Sequence, residues 1–409
     1  MSEFKLRVGI PIDYSSYDMH AGGSFSYVTQ LIAGIDNHTF PEGIEVIFLD
    51  YTGKAEIKSK KKVVSFHPFQ KHSLSDRIRK ITIELLKKLG KNFFGSFYNF
   101  LERKHAEKRS INIKKALIEI NIHLILYVKP DGIDFNFPFV TIHWDIGHRS
   151  TYMFPEFGES FESRESYYCQ TLNRALYILT ETQTGKDELI NFTSISENKI
   201  GVMPIFPGAV VNENVSDETQ NEILKKAEIT KYEFFIYPAQ FWAHKNHNLL
   251  IEAMQQINKL YPRIKLILTG SNKGNLPYIE DRIKASNLKD TIKILGFVSN
   301  EELFTFYKNA IALVMPTFLG PSNMPPLEAA TLACPVLISD LAGHRELMKD
   351  YATYFDPTNV DDLIEKMQSS IMNKTAKKFD SSNFNIHAAM LALQKSLLKI
   401  RSIRSTWGH

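Results

Sequence analysis

Short runs of β-branched and other apolar residues recur along this chain, and between them the apolar spacing is helical. In the first half the runs are 6–11, 46–51, 124–127, 139–142, 175–180 and 199–204. In the second half they are 234–237, 265–269, 292–295, 311–315 and 335–339. Runs that are apolar throughout, rather than alternating, suit strands buried on both faces, so the pattern predicts parallel sheets covered by helices. Between the two sets lies 212–231, polar and without a strand candidate, which reads as a link. The expected fold class is therefore α/β: two doubly wound domains, residues 1–211 and 212–384, facing each other across a cleft at the carboxyl ends of both sheets. A length of 409 residues also favours two cores over one. A last amphipathic helix, about 385–400, follows the completed second sheet.

Composition narrows the setting. Hydrophobic residues make up 44% and charged residues 23%, as in soluble globular proteins. No apolar run approaches the ~20 residues needed to span a bilayer. The opening MSEFKLRVGIPID has no charged-then-apolar leader pattern. Cys169 and Cys334 are far apart, without metal-ligand spacing, so the expected setting is reducing and cytoplasmic. The net charge of +4 conceals an uneven distribution: residues 54–115 hold 18 Lys/Arg against 5 Asp/Glu. Leu74, Ile78, Ile81, Leu85 and Leu89 form one helical stripe there, with Arg77, Arg79, Lys80, Lys87 and Lys88 elsewhere on the helix and Phe93, Phe94, Phe97, Tyr98 and Phe100 following. A basic amphipathic helix followed by aromatics suits an anionic bilayer surface, and equally a core-facing helix with a solvated basic face. Nucleic acid fits poorly, because no binding motif accompanies the charge.

Candidate ligand groups sit where strands end. Gly22 and Gly23 fall at the turn between the first strand and a helix with Val28, Leu31, Ile32 and Ile35 on one face. Glycine there lets backbone amides approach a ligand, or simply makes a tight turn. His143, Asp145, His148 and Arg149 crowd the end of the 139–142 strand. Gln240 and Lys245 follow the 234–237 strand, and Gly270 and Ser271 follow 265–269. Within 315–357 a strand stops at Pro316, a loop with Gly320, Ser322, Asn323 and Met324 follows, and Pro325-Pro326 open a helix with Glu328 in its first turn. The free N–H groups of such a loop and helix start suit a phosphate, and Glu328 can accept from sugar hydroxyls.

The segment GPSNMPPLEAATLACPVLISDLAGHRE resembles the nucleotide-sugar half of family 4 glycosyltransferases, retaining enzymes of the GT-B fold with two Rossmann-like domains. Trp144, Asp145, His148, Arg149, Phe154, Pro155 and Glu156 resemble the WDxxHR…FPE segment of one branch of that family. The resemblance implies that Gly22 and Gly23 face the donor phosphates and the acceptor. It implies that a histidine–aspartate pair touches the transferred sugar; which histidine does so is open, and His148 with Asp145 is favoured. Lys245 matches the family's diphosphate lysine, whereas Gln240 stands at its arginine. Gly270 to Gly274 resembles the GxG stretch, and Leu295-Gly296-Phe297-Val298 the LGxV segment that contacts the base. Glu328 matches the second of two motif glutamates, expected on the ribose, while Gly320 stands at the first. In such enzymes the final helix, within 385–409, crosses back to the first domain.

The expected function is transfer of a sugar from a GDP-, UDP- or dTDP-linked donor to a glycan, lipid-linked, in bacterial surface polysaccharide assembly. Asp145, His148 and Lys245 are the expected catalytic residues. Gly22, Gly23, Gln240, Lys245, Gly270, Ser271, Phe297, Val298, Ser322, Asn323, Met324 and Glu328 are expected on the donor. No cofactor and no metal is expected, since no acidic cluster for a divalent ion stands out, and the expected place is the cytoplasm or the inner face of its membrane. Two alternatives remain: a GT-B relative with epimerase or phosphorylase chemistry, and a weakened nucleotide-sugar-binding scaffold, motivated by Gln240 and Gly320.

Overall fold

The computed structural model describes residues 4–12, 22–50, 58–65, 104, 110–130, 137–151, 153–373 and 377–407. The first sheet comprises β1 (Leu6–Ile12), β2 (Ile44–Asp50), β3 (Lys62–Ser65), β4 (Leu124–Tyr127), β5 (Phe139–His143), β6 (Tyr177–Thr180) and β7 (Ile200–Val202). Its order is β3-β2-β1-β4-β5-β6-β7, parallel throughout. The second comprises β8 (Phe234–Pro238), β9 (Lys265–Thr269), β10 (Ile292–Gly296), β11 (Ala312–Met315), β12 (Val336–Ser339) and β13 (Thr353–Phe355), in the parallel order β10-β9-β8-β11-β12-β13. The order reverses between β1 and β4 and again between β8 and β11, which opens a crevice at the carboxyl ends of those strands.

The continuous apolar runs are buried on both faces, as their composition requires. Leu6, Val8, Ile10 and Ile12 of β1 pack with Tyr27, Val28, Leu31, Ile32 and Ile35 of α1 (Gly23–Asn37). Ile47 and Leu49 of β2 and Ile125 of β4 face the opposite layer, with Ile113 and Leu117. The 212–231 stretch holds no strand but does hold a helix, Asp217–Lys226, whose first turn is capped by the Ser216 hydroxyl accepting from the Thr219 N–H. Two strands were missed in the sequence. Both β3 and β13 are sheet edges, three or four residues long and partly exposed, so neither carries an apolar run long enough to register. The 175–180 run begins its strand only at Tyr177, because the Ala175 N–H is taken by the Leu172 carbonyl in a turn.

The helices that shape the crevice are α1, α2 (Pro155–Ser166), α3 (Gln183–Phe192), α4 (His247–Leu260), α5 (Met324–Thr331) and α6 (Ala342–Met348). The last helix, α7 (Ile386–Arg404), lies on the first sheet's outer layer. A Cβ at Gly34 of α1 would stand 2.6 Å from Ile386, so the glycine permits the helix crossing. Gln394 meets His38 at 2.9 Å and Arg401 Nε donates to the Phe4 carbonyl at 2.8 Å. The basic stripe from Leu74 to Leu89 and the aromatics from Phe93 to Phe100 lie outside the described residues. Among the described residues no helix is long and apolar enough to cross a membrane.

Candidate functional site

A cavity of about 520 Å³ occupies the crevice and takes its walls from both sheets. From the first come Gly23, Ser24, Tyr27, Trp144, Asp145, Glu156, Arg164 and Glu181; from the second come Gln240, His244, Lys245 and the loop 319–325. Asp145, Glu181 and Gln240 follow within two residues of a strand end, which gives a side chain reach into the crevice while its backbone stays anchored in a sheet, whereas Tyr27, Glu156 and Arg164 come from helices.

The turn after β8 is the most tightly built. Asn246 adopts the left-handed conformation (φ 57°) between a short 3₁₀ turn and α4, which asparagine tolerates well. Its amide donates to the Pro316 and Pro357 carbonyls at 3.1 and 2.9 Å, and the Tyr237 hydroxyl donates to the Lys245 carbonyl at 2.9 Å. With its backbone fixed, Lys245 extends along the cavity wall, where Nζ donates to Asn323 Oδ1 at 3.3 Å. Burial pushes the amine down to about 8, so it sits near its charge transition at physiological pH and a bound anion would favour its charged form. Gln240 reaches across to the glycine turn: Gly22 has φ 64°, and a Cβ there would lie 3.2 Å from Gln240 Nε2. Gly23 has open space where a Cβ would be, which leaves its backbone exposed to the cavity.

Asp145 lines the cavity, as expected. Burial works against its charge, but the Arg164 guanidinium at 2.5 Å and the Gly147 N–H at 2.8 Å prevail and hold it below the usual carboxylate range. His148 does not join it at the wall. Its Nε2 meets Glu165 at 2.8 Å, its Nδ1 accepts from Arg164 at 3.1 Å, and the ring is fully buried behind the site. Arg149 completes that layer through a two-pronged pair with Glu165 at 2.6 and 2.7 Å. His143 is buried too, beside Tyr168, and burial depresses it to about 4. The histidine on the cavity wall is His244, from the other half. Its backbone N–H donates to Glu156 Oε1 at 3.0 Å and its Nδ1 lies 2.5 Å from the same oxygen, which ties the two halves together.

Five further residues expected on the donor lie off the cavity wall. Glu328 lies beneath the loop rather than on the cavity wall, with Oε1 accepting from the Gly208 N–H at 3.1 Å and Oε2 from the Tyr307 hydroxyl at 2.9 Å. Burial raises it to about 7. Gly270 and Ser271 are structural at the end of β9. The Gly270 N–H donates to the Gly296 carbonyl at 2.7 Å, a Cβ there would stand 2.3 Å from the Ala239 carbonyl, and Ser271 O accepts from Phe241. Phe297 is exposed and Val298 half-buried beyond β10, both off the cavity wall. Ser322, Asn323 and Met324 do line the cavity. The start of α5 offers fewer amides than a typical helix end, because Pro325 and Pro326 carry no N–H.

Glu181 was not anticipated. It follows β6, is almost fully buried, accepts from the Ser322 hydroxyl and lies beside Tyr27. Burial raises it to about 8, which keeps it protonated at neutral pH and able to donate. The signal for it was present: a carboxylate directly after an apolar strand. Other contacts close the crevice around it. Thr182 Oγ1 donates to the Pro321 carbonyl at 2.7 Å, and Glu346 of α6 accepts from the Gln183 and Thr184 N–H groups at 2.7 and 2.8 Å.

Residues 219–383 match the family described as Glycosyl transferases group 1. The chain is 26% identical over 219 residues to the O-antigen chain mannosyltransferase RfbU of Salmonella typhimurium, an alignment covering 54% of this chain and 56% of that protein. The chain thus spans about half the length of the curated relatives it matches. Among solved structures, sucrose-phosphate synthase from Thermosynechococcus elongatus superposes with a TM-score of 0.68 at 16% identity, covering 98% of this chain and 100% of that one. Anabaena Alr3699/HepE in complex with UDP superposes with a TM-score of 0.65 at 14% identity, covering 96% and 100%. The fold is GT-B, and the second half of the chain, with the crevice lysine and the loop before α5, is the part that matches the group 1 glycosyltransferase family.

Proposed function

We propose that this chain transfers a sugar from a nucleoside-diphosphate sugar to a glycan acceptor, with retention of anomeric configuration. The observation that carries the proposal is the Lys245 amine, fixed at the meeting point of the two sheets' carboxyl ends and lining a cavity large enough for a sugar nucleotide. A diphosphate beside Lys245 would be met by one amine, by the Gln240 amide and by the backbone at Gly23. Such donors, aimed at charge that grows as the diphosphate departs, lower the barrier without moving during the reaction. Asp145, held ionised by Arg164, and Glu181, held protonated by burial, face the same space with opposite hydrogen-bonding roles toward sugar hydroxyls.

The relative from Salmonella is an O-antigen chain mannosyltransferase, which favours a lipid-linked surface glycan as acceptor and a mannosyl donor as the first to test. The Anabaena neighbour binds UDP and UDP-glucose, so the uridine series belongs beside the guanosine one. The basic region 54–115 supports placement at the anionic inner face of the membrane.

The test is thermal shift against GDP-, UDP- and dTDP-sugars, followed by transfer to native acceptor lipid. Binding followed by transfer with retention supports the proposal. Donor conversion without acceptor points to an epimerase, and binding without consumption in the presence of acceptor leaves a scaffold. Liposome co-sedimentation that depends on anionic lipid supports the membrane placement, and equal partitioning onto neutral vesicles refutes it.

A further inference from the structure

Gly320 stands on the cavity wall without a side chain, and the space it leaves is filled. A Cβ at 320 would come within 2.1 Å of Asn323 Nδ2 and 2.7 Å of His344 Nε2. Those two atoms are themselves 3.0 Å apart. His344 is fully buried on α6 and its Nδ1 lies 2.7 Å from the Ser339 carbonyl, which can only accept, so Nδ1 carries the proton and Nε2 is an acceptor. The amide nitrogen of Asn323 is therefore the donor to Nε2, with a second carbonyl, that of Leu319, at 3.3 Å. This fixes the orientation of the amide: its oxygen is the atom left to meet Lys245 Nζ at 3.3 Å. Backbone packing guards the geometry, since a Cβ at Gly343 would stand 2.3 and 2.5 Å from the Gly320 and Pro321 carbonyls.

We propose that Ser339, His344 and Asn323 form a positioning relay that aims a carbonyl oxygen at Lys245 and so sets both the direction and the proton affinity of that amine. The relay requires a neutral His344, and burial supplies it by depressing the ring to about 4. It also requires an uncharged partner at 323. An amide oxygen holds the ammonium without neutralising it, leaving its positive charge for a ligand, whereas a carboxylate would cancel that charge. The other charged and titratable groups that act on Lys245 are Asp145 and Glu156, which raise it, and its neighbours His244, His247 and His344, which burial keeps largely neutral. The relay rests on the proposed donor role only for its purpose; the positioning itself can be read in the protein alone.

The experiment uses the full chain without ligand. The pH dependence of Lys245 acylation by a small amine-reactive probe is followed by mass spectrometry, alongside the melting temperature. The wild-type midpoint is expected near 8. Asn323→Ala removes the oxygen and should lower the midpoint by about one pH unit, a tenfold change in proton affinity. Asn323→Asp should raise it by a similar amount. His344→Ala frees the amide to turn its NH₂ toward Lys245 and should lower the midpoint as Asn323→Ala does. His344→Gln, whose side-chain oxygen can stand near the place of Nε2, should restore it. Midpoints unchanged in Asn323→Ala and His344→Ala, in variants that melt as the wild type does, overturn the relay. So does a downward shift in His344→Gln equal to that in His344→Ala. If His344→Ala melts below the wild type, His344→Gln decides, because it keeps a side chain with an acceptor in that space: a midpoint restored to the wild-type value supports the relay and a lowered one overturns it. UDP and GDP titrations on the same proteins separate the two proposals. Shifted midpoints with no nucleotide bound by the wild type sink the donor role and keep the relay, whereas nucleotide binding with unshifted midpoints does the reverse.

Discussion

Glu328 holds Gly208 in place: Oε1 accepts the Gly208 N–H at 3.1 Å, and a Cβ at 208 would stand 2.4 Å from that oxygen. The carboxylate thus joins α5 to the segment that leaves the first sheet, with Tyr307 on its other oxygen. Glu328→Ala would strand two buried donors, at roughly 1–3 kcal/mol each. We expect a clear fall in the denaturation midpoint, larger than that of any cavity-wall variant. A Glu328→Ala protein that melts like the wild type yet loses nucleotide binding would return this residue to the ribose.

Stability should fall as pH rises from 6.5 to 8. Burial lifts Glu328 to about 7 and Glu181 to about 8, against 4.5 for an ordinary glutamate. In that interval the folded protein keeps protons that the unfolded chain has released, so rising pH favours unfolding. Below 6.5 the buried histidines His143, His247 and His344 act in the opposite sense, and above 8 so does Lys245, which confines the clean window. Glu181→Gln should flatten the slope measured by chemical denaturation at successive pH values. An unchanged slope would mean that Glu181 is ionised in the fold.

The two sheets, their parallel sense and the crevice between them were legible because buried strands leave continuous apolar runs. What a strand end presents was legible in part. Lys245, Gln240, Gly23, Asp145 and the loop 322–324 reach the cavity because each lies in the segment that leads from a strand's carboxyl end into the next helix. His148 follows one too, but α2 brings Arg164 and Glu165 over it, a packing relation between elements that no local pattern encodes. The burial of Glu328 was not legible for a similar reason: its partners Gly208 and Tyr307 are distant in sequence, and their donors draw the carboxylate inward. Glu181 was missed because a single carboxylate in a polar turn looks solvated until the opposing loop is in place.

Glu346 should control how firmly the halves stay together. Its carboxylate accepts from the first two backbone N–H groups of α3 and from the Thr184 hydroxyl, at 2.7 to 2.8 Å. A carboxylate at a helix start is favoured by both the free amides and the helix dipole. Glu346→Ala removes that bond between halves while leaving the cavity wall intact. We expect a larger radius of gyration in solution scattering and faster proteolysis, with modest loss of thermal stability. An unchanged radius would assign closure to the Glu156–His244 contact and the Thr182–Pro321 bond instead.

Lys245 offers the sharpest test of the donor site, because its charge can be removed in two independent ways. Titration is the first. With the amine at about 8, nucleoside-diphosphate affinity should be flat at pH 6.5–7.5 and decline above 8, approaching tenfold per pH unit where binding requires the charged form. Substitution is the second. Lys245→Met keeps the stem but loses the charge, and should weaken binding by about 10-fold to 100-fold, the span of a charge-assisted hydrogen bond at ~1.5–3 kcal/mol. It should not weaken the fold, since a partly desolvated ammonium contributes little to stability and its removal lifts a burial cost. Lys245→Arg separates charge from titration: a guanidinium stays charged throughout, so affinity should lose its decline above pH 8 even if its absolute value drops. Calorimetric titration of UDP and GDP across pH 6.5–9.5 measures all three. A wild-type decline above pH 8 that persists in Lys245→Arg would place the titrating group elsewhere, and equal affinities in wild type and Lys245→Met would remove this lysine from the donor altogether.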